Sequence, residues 1–269
     1  MAIFYDTHAH LDYPDFQPDF GDVLQRARAA GITRMISIGT SAESSRRALA
    51  LAEAHSEIYA VVGWHPSDAL DAPDDVRGLL RELAAHPKVV AIGETGLDYY
   101  RLPSTKGGMP ADDEHYKRKQ AALFQQQLEV ASELGLNCVI HQRGDTLDDT
   151  LALMQPFVGK TRGVFHCFSG DLEALKRIRA LGSIVSFTGI VTFKNGQNVR
   201  DAAAATPLGE FMLETDCPFL APIPYRGRRC EPAYVKEIAE TIAQVKGCSL
   251  EELSRATCET AHGFFKKLA

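Results

Sequence analysis

The chain has 269 residues, of which 45% are hydrophobic and 24% are charged, and its formal net charge is −6. This balance supplies enough apolar material for a sizeable core and argues against an intrinsically disordered chain. The acidic excess argues against loose, charge-driven binding to nucleic acid, although a nucleic-acid substrate held in a local pocket remains compatible with it.

Short apolar runs rich in Val and Ile alternate with longer segments of helical periodicity, an order typical of successive βαβ units with a parallel sheet. In chain order we predict strands at 3–7, 34–38, 59–63, 89–93, 137–140, 163–165, 183–187 and 211–214. Helices are predicted at 22–30, 42–55, 115–134, 171–181 and 231–246. Eight strands indicate an α/β fold of the (β/α)8 TIM-barrel type. Because no linker or change in composition divides the chain, we predict one barrel domain over residues 1–269.

Residues 101–113 are rich in Gly, Pro and polar side chains. We expect this stretch to be a loop over the barrel mouth, where long loops after the strands usually border the active site.

The N-terminus lacks a basic segment followed by an apolar one, and no stretch approaches the roughly 20 apolar residues of a membrane span. We therefore expect a cytoplasmic protein that has no membrane partner, and the sequence indicates no obligate protein partner. The six cysteines form no CxxC pair and are expected to be free thiols.

Chemically unusual polar residues fall at the carboxyl ends of the predicted strands. They are His8, His10, His65, Glu94, His141, His166 and Asp216. In a (β/α)8 barrel these ends converge on the face where active sites are assembled. Because alternate side chains of a strand point the same way, the two imidazoles at positions 8 and 10 can reach one metal ion.

Six of these residues form a plausible ligand set: His8, His10, Glu94, His141, His166 and Asp216. Four histidines and two carboxylates exceed one tetrahedral zinc site and match two divalent ions that share a bridging carboxylate. Two such ions lower the pKa of a water and stabilise developing negative charge, which predicts a hydrolase. The mixed ligands suit zinc or manganese, and magnesium can enter with a phosphate substrate.

Several motifs occur in a fixed order: HxH at 8–10, GWHP at 63–66, GETGLD at 93–98, VIHQR at 139–143, FHCFSG at 165–170 and ETDCPFLAP at 214–222. Together they resemble the TatD family of metal-dependent deoxyribonucleases, a branch of the amidohydrolase barrels. The resemblance runs from about residue 8 to the C-terminus. It implies a (β/α) barrel, divalent metals and cleavage of phosphodiester bonds at DNA ends.

Carried over by position, the resemblance implies that His8, His10, Glu94 and Asp216 hold one metal and that Glu94, His141 and His166 hold the other. Glu94 would bridge the two ions. Asp216 would also take a proton from the attacking water, and His65 would contact the scissile phosphate. These three residues are the expected catalytic groups.

Arg143 is the best further candidate for substrate binding, because a guanidinium offers a fixed fork of donors to phosphate. Asp98, Ser169 and Arg226 are weaker candidates of this kind. Four other residues near the motifs have expected supporting roles: Asp6 and Asp12 orient the ligating imidazoles or cap a turn, Trp64 stacks on a base or joins the core, and Cys217 packs.

Three enzyme hypotheses remain open from the sequence. A nuclease acting on short or single-stranded DNA ends fits the family resemblance and the suitability of two metals for phosphodiester cleavage. Removal of a D-amino acid from charged tRNA would apply the same chemistry to a carbonyl ester. A small-molecule amidohydrolase is disfavoured by Glu94, which stands where many binuclear members of that wider group have a bridging lysine. A scaffold with a vestigial site is disfavoured because all six ligands are present.

Overall fold

The structure is a computed structural model that describes residues 2–269. Its strands are Phe4–Ala9 (β1), Ile32–Ile38 (β2), Ile58–Val62 (β3), Val89–Asp98 (β4), Asn137–Arg143 (β5), Gly163–Phe165 (β6), Ile184–Phe187 (β7) and Phe211–Leu213 (β8). All neighbouring pairs are parallel, in the order β1 to β8. A bridge between Ala9 and Cys217 brings the first strand beside the segment after the last. The predicted TIM-type barrel is therefore confirmed.

Helices lie between the strands and form the outer layer. They are Phe20–Ala29 (α1), Ala42–Ala54 (α2), Arg77–Ala84 (α3), Pro110–Leu134 (α4), Leu147–Met154 (α5), Leu172–Ala180 (α6), Gln197–Ala205 (α7), Val235–Lys246 (α8) and Leu250–Phe264 (α9). The sequence periodicity did not identify α3, α5, α7 or α9. The first three have only eight or nine residues, about two turns, which is too short for a clear helical period. None of the helices in the described part of the chain is long and apolar enough to cross a membrane.

The loop expected at 101–113 ends earlier than predicted, because α4 begins at Pro110. Within the loop, Pro103–Lys106 forms a 3-10 helix. Proline suits the first turn of a helix, where its missing N–H would have no intrahelical partner. The Asp112 carboxylate also accepts a hydrogen bond from the Met109 N–H at 3.4 Å and caps the turn. Of the remaining residues, Arg101 lines the cavity at the barrel mouth.

Two apolar layers hold the barrel. One lies between the sheet and the helices, and the other fills the barrel interior with residues such as Ile36, Val61 and Val139. Phe264 and Phe265, at the end of α9, pack into this inner layer. The Phe264 carbonyl accepts a hydrogen bond from Asn137 at the first residue of β5, so α9 closes the amino end of the barrel. The carboxyl end of the barrel remains open for a functional site.

Strand β4 continues five residues beyond the predicted boundary at 93, through the GETGLD segment. Its pairing with β5 shifts between Ile92 and Thr95, where two residues of β4 oppose one of β5. Gly93 makes this bulge possible, because its φ is 135° and a Cβ there would lie 2.6 Å from the Val139 carbonyl oxygen. The bulge changes the direction of the following side chain, which is Glu94.

Candidate metal centre

The structure brings together all seven residues that the sequence analysis placed at strand ends. His8, Glu94 and His141 lie within β1, β4 and β5, and the other four follow strands within three residues: His10 after β1, His65 after β3, His166 after β6 and Asp216 after β8. Six of the seven line one cavity of about 540 Å3 at the carboxyl end of the barrel, and His8 is fully buried beside them.

On the β1 and β8 side, His8, His10 and Asp216 form one group able to hold a cation. The Nε2 atoms of His8 and His10 lie 3.6 and 3.3 Å from Asp216 Oδ1, and 3.5 and 3.7 Å from Glu94 Oε2. Two ligand atoms bound about 2.1 Å from a tetrahedral ion would be roughly 3.4 Å apart. The four separations therefore match atoms that share an ion better than atoms that bond directly to each other.

On the β5 and β6 side, the other Glu94 oxygen meets two further imidazoles. Glu94 Oε1 lies 2.8 Å from His166 Nε2 and 2.9 Å from His141 Nδ1, at hydrogen-bond distance. Each Glu94 oxygen thus faces a different pair of histidines, which is the arrangement a bridging carboxylate needs.

An observation on His8 tests whether these donors fit a cation. Both ring nitrogens of this fully buried histidine have no hydrogen-bond partner among residues 2–269. A buried polar atom without a partner costs free energy, so such atoms normally have one. A cation held by His8 Nε2, Glu94 and Asp216 would give the His8 Nε2 atom such a partner. Imidazole and carboxylate groups are suitable ligands for a divalent ion.

The protonation states also favour a cation. Burial raises the pKa of Glu94, but the His166 charge and the hydrogen bonds of His141 and His166 together outweigh burial and hold that pKa well below its usual range. Burial also raises the pKa of Asp216, but its contacts with the neighbouring histidines together lower that pKa. Burial lowers the pKa of His166, yet Glu94 and Glu214 together raise it well above the usual value. Both carboxylates are therefore ionised and able to bind a cation, which would displace the imidazole protons.

His65, Glu94 and His141 form another group whose atoms lie close enough together to hold a cation. Its Nε2 lies 3.1 Å from His141 Nδ1 and 3.4 Å from Glu94 Oε1. However, its Nδ1 accepts a hydrogen bond from the Ser67 backbone N–H at 3.0 Å. A neutral ring that accepts at Nδ1 carries its proton on Nε2. The atom of His65 that faces the cavity is therefore a donor and is poorly suited to ligate a metal.

No supporting role was assigned from the sequence to two carboxylates that lie behind the imidazoles of His141 and His166. Asp98 Oδ2 lies 3.2 Å from His141 Nε2, so the outer nitrogen of that ring donates to Asp98 while its Nδ1 lone pair faces Glu94. Asp98 also accepts hydrogen bonds from the N–H groups of Tyr100 and Arg101. The sequence did contain an indication of this position. Side chains alternate along an extended strand, so positions 94 and 98 of GETGLD lie on the same side.

Glu214 is the second of these carboxylates. It lies 3.7 Å from His166 Nδ1, and it accepts hydrogen bonds at 2.6 Å from the Cys167 N–H and the Ser186 hydroxyl. These contacts fix the backbone directly after His166. Carboxylates behind ligating histidines commonly set the orientation of the ring.

Of the roles expected for Asp6 and Asp12, the orientation of the imidazole rings is wrong. Asp6 is fully buried, but it accepts from the backbone N–H groups of His8 and Thr215 and contacts neither imidazole ring. It therefore fixes the chain beside the ligands. Asp12 is bound by the Ser44 hydroxyl at 2.8 Å and the Arg47 guanidinium at 2.9 Å, so it anchors a loop.

The substrate-binding candidates separate by position. Arg143, Arg101 and Ser169 line the cavity, whereas Arg226 lies over the Phe193 ring and donates to the Ala221 carbonyl outside the lining. The Arg143 guanidinium stacks 4.4 Å from the centre of the Tyr100 ring, which holds it at the mouth.

Trp64 and Cys217 are packing residues. Trp64 is 4% exposed, and its backbone N–H and carbonyl both bond to the Gln127 side chain, so it cannot stack on a base in the cavity. Cys217 is fully buried, and burial raises the pKa of its thiol well above the usual value, which makes it a poor nucleophile.

Comparison with known proteins matches the chain over nearly its whole length. A model of the TatD-related DNase family matches residues 5–266. The chain is 37% identical to the uncharacterized metal-dependent hydrolase YabD of Bacillus subtilis, over 97% of this chain and 98% of that protein. It is 35% identical to the 3'-5' ssDNA/RNA exonuclease TatD of Enterobacter lignolyticus, over 97% of this chain and 98% of that protein. The crystal structure of YjjV, a TatD homolog of Escherichia coli K12, aligns with a TM-score of 0.87 at 30% identity and covers 98% of each chain.

Proposed function

The chain belongs to the TatD-related DNase family of metal-dependent hydrolases, and on that basis we propose that it removes nucleotides from the ends of single-stranded DNA. In this proposal residues 1–269 form one catalytic domain that binds two divalent ions. His8, His10, Glu94 and Asp216 hold one ion, while Glu94, His141 and His166 hold the other.

One observation carries the proposal: the Glu94 carboxylate stands between two pairs of histidines, with one oxygen toward each pair. A single buried carboxylate shared in this way provides two adjacent cation sites. Two adjacent divalent ions are the established means of cleaving phosphodiesters, because they activate water and stabilise charge on the attacking and leaving oxygens.

The protein's own groups supply the remaining steps. Asp216 is ionised at neutral pH and its side chain is 14% exposed toward the cavity, so it can accept the proton of the attacking water. His65 offers the Nε2–H that Ser67 fixes, and this bond stabilises charge that develops on a non-bridging phosphate oxygen. Arg143, at the mouth, binds a neighbouring phosphate.

The cavity volume of about 540 Å3 and the formal net charge of −6 fit a short contact with a strand end better than a long bound duplex. The same geometry can act on RNA ends. It also permits attack on a carbonyl, which keeps the deacylation of D-aminoacyl-tRNA and the opening of cyclic amides as alternatives for the assay to exclude.

The test is a parallel assay of protein loaded separately with zinc, manganese or magnesium. The substrates are end-labelled single-stranded DNA, the same sequence as RNA and as blunt duplex, a D-aminoacyl-tRNA, and a panel of cyclic amides. We expect stepwise shortening of single-stranded DNA from one end, and its loss on chelation. Ester or amide hydrolysis at a higher kcat/KM, with no shortening of DNA, would overturn the nuclease assignment while retaining the hydrolase.

A further inference from the structure

A large apolar side chain stands exposed at the wall of the cavity. Phe219 follows Asp216 by three positions, lines the cavity and is 49% exposed. Large apolar side chains in solvent cost free energy, and one placed beside an active site indicates a contact with a ligand. The metal-binding chemistry above makes no use of this ring.

Phe219 is part of an aromatic wall that also contains Tyr13. The two rings meet edge to face with centroids 6.0 Å apart, and both lie beside the His10 imidazole, at 6.2 Å for Phe219 and 4.9 Å for Tyr13. Tyr13 lines the same cavity and is partly buried. A ligand that touches this wall is therefore adjacent to the proposed metal ligands.

The peptide unit that precedes Phe219 is fixed through both its N–H and its carbonyl group. The Phe219 N–H donates to the Asp216 carbonyl at 3.0 Å, and the Pro218 carbonyl accepts from the Cys230 N–H at 3.0 Å. Farther along, Arg229 binds both oxygens of Asp19 at 2.7 and 2.8 Å. The ring is thus presented by a pre-organised loop, which reduces the entropy lost when a ligand binds.

The cavity combines this flat apolar wall with the metal-binding carboxylates and, at its mouth, the Arg143 guanidinium. A ligand with a planar aromatic part and neighbouring anionic groups satisfies both surfaces, and a nucleotide has that composition. The volume of about 540 Å3 falls in the range of small-ligand pockets, so it admits a nucleotide.

We propose that Phe219 and Tyr13 form a base-stacking subsite that receives the unpaired terminal nucleobase of the strand. This inference rests on the proposed nuclease function and deepens it, because it identifies what makes the enzyme require a single strand. Stacking tolerates every base, since each has a π face, so the subsite selects unpaired ends with little preference for sequence.

The test compares two oligonucleotides that differ only in the terminal residue, one normal and one abasic with an intact sugar and phosphate. The wild type should cleave the normal end with a kcat/KM about fivefold to a hundredfold higher, which is the span of one stacked base. For Phe219→Ala, kcat/KM on the normal end should fall by that factor, and kcat/KM on the abasic end should change little. Phe219→Leu keeps apolar bulk but lacks the π face, so it should also lose most of the preference for the normal end. Phe219→Trp should retain this preference.

Ile223→Ala is the matched control, because Ile223 is 41% exposed, lies in the same loop and does not line the cavity. It should behave as the wild type on both oligonucleotides. Equal cleavage of normal and abasic ends by the wild type would overturn the subsite and leave the nuclease intact. An equal loss on both ends in Phe219→Ala, or a lower metal content in that variant, would also overturn it. Failure of the wild type to cleave either oligonucleotide would overturn both the subsite and the proposed function.

Discussion

The substitution Glu94→Gln tests the centre most directly. Glu94 is 2% exposed, and its two oxygens lie 2.8 to 3.7 Å from the ring nitrogens of five histidines. Glutamine keeps the shape of the side chain but loses the charge, and it turns one acceptor oxygen into a donor NH2 group. For unit charges ~4 Å apart at an effective dielectric of about 20, the lost attraction is about 4 kcal/mol. That corresponds to about a thousandfold lower metal affinity.

The assay combines elemental analysis after dialysis at controlled free metal with kcat/KM on a single-stranded substrate. We expect less than the full metal content and a loss of activity of about a thousandfold, because two ions cannot share the amide. The matched control is Glu214→Gln, which removes an equally buried carboxylate that approaches His166 only at its outer nitrogen and accepts hydrogen bonds from the Cys167 N–H and the Ser186 hydroxyl. It should keep both metals and fold normally. Full metal content and turnover within about tenfold of the wild type in Glu94→Gln would refute the bridging role.

Three further outcomes are expected. Asp216→Asn should lower kcat far more than it raises KM, because it removes a base that acts in the transition state; a normal kcat with a collapsed affinity would contradict this. His65→Ala should keep its metals and lose roughly tenfold to a thousandfold in rate, and a loss of metal would instead make His65 a ligand. Metal affinity should fall with decreasing pH, starting above the usual imidazole range. The reason is that, against the effect of burial, Asp98 and Glu94 raise the pKa of His141, and Glu94 and Glu214 raise the pKa of His166, so binding must displace protons. Calorimetric titrations at several pH values in buffers of different ionisation enthalpy measure those protons, and a pH-independent affinity would contradict the assignment.

The sequence was sufficient to predict the barrel and to predict that the site residues converge on one face. Val- and Ile-rich runs mark buried parallel strands, and the position of a polar residue after such a run needs no knowledge of the rest of the fold. His8, Glu94 and His141 could therefore be placed at one face from local pattern alone.

What could not be predicted depends on contacts between distant strands. The GETG segment has the composition of a turn, and only the close approach of β5 to Gly93 shows it to be a bulge within β4. The pairing of Asp98 with His141 requires the register of β4 against β5. Asp12, two residues from His10, binds Arg47 on α2, a partner that its local sequence does not reveal.

The seam between β1 and the segment after β8 has a consequence for biosynthesis. At this seam the Asp216 N–H donates to the His8 carbonyl, the His10 N–H donates to the Cys217 carbonyl, and Asp6 binds Thr215, which is 209 positions away. Under the proposed assignment, β1 and the segment after β8 thus supply ligands of the same cation site, although they are made far apart in time. A nascent chain that stops before β8 has an open seam and lacks Asp216, so it could not assemble that site. Binding of the ion would then require synthesis at least as far as Asp216, and a product that stops earlier would remain both metal-poor and exposed to proteolysis.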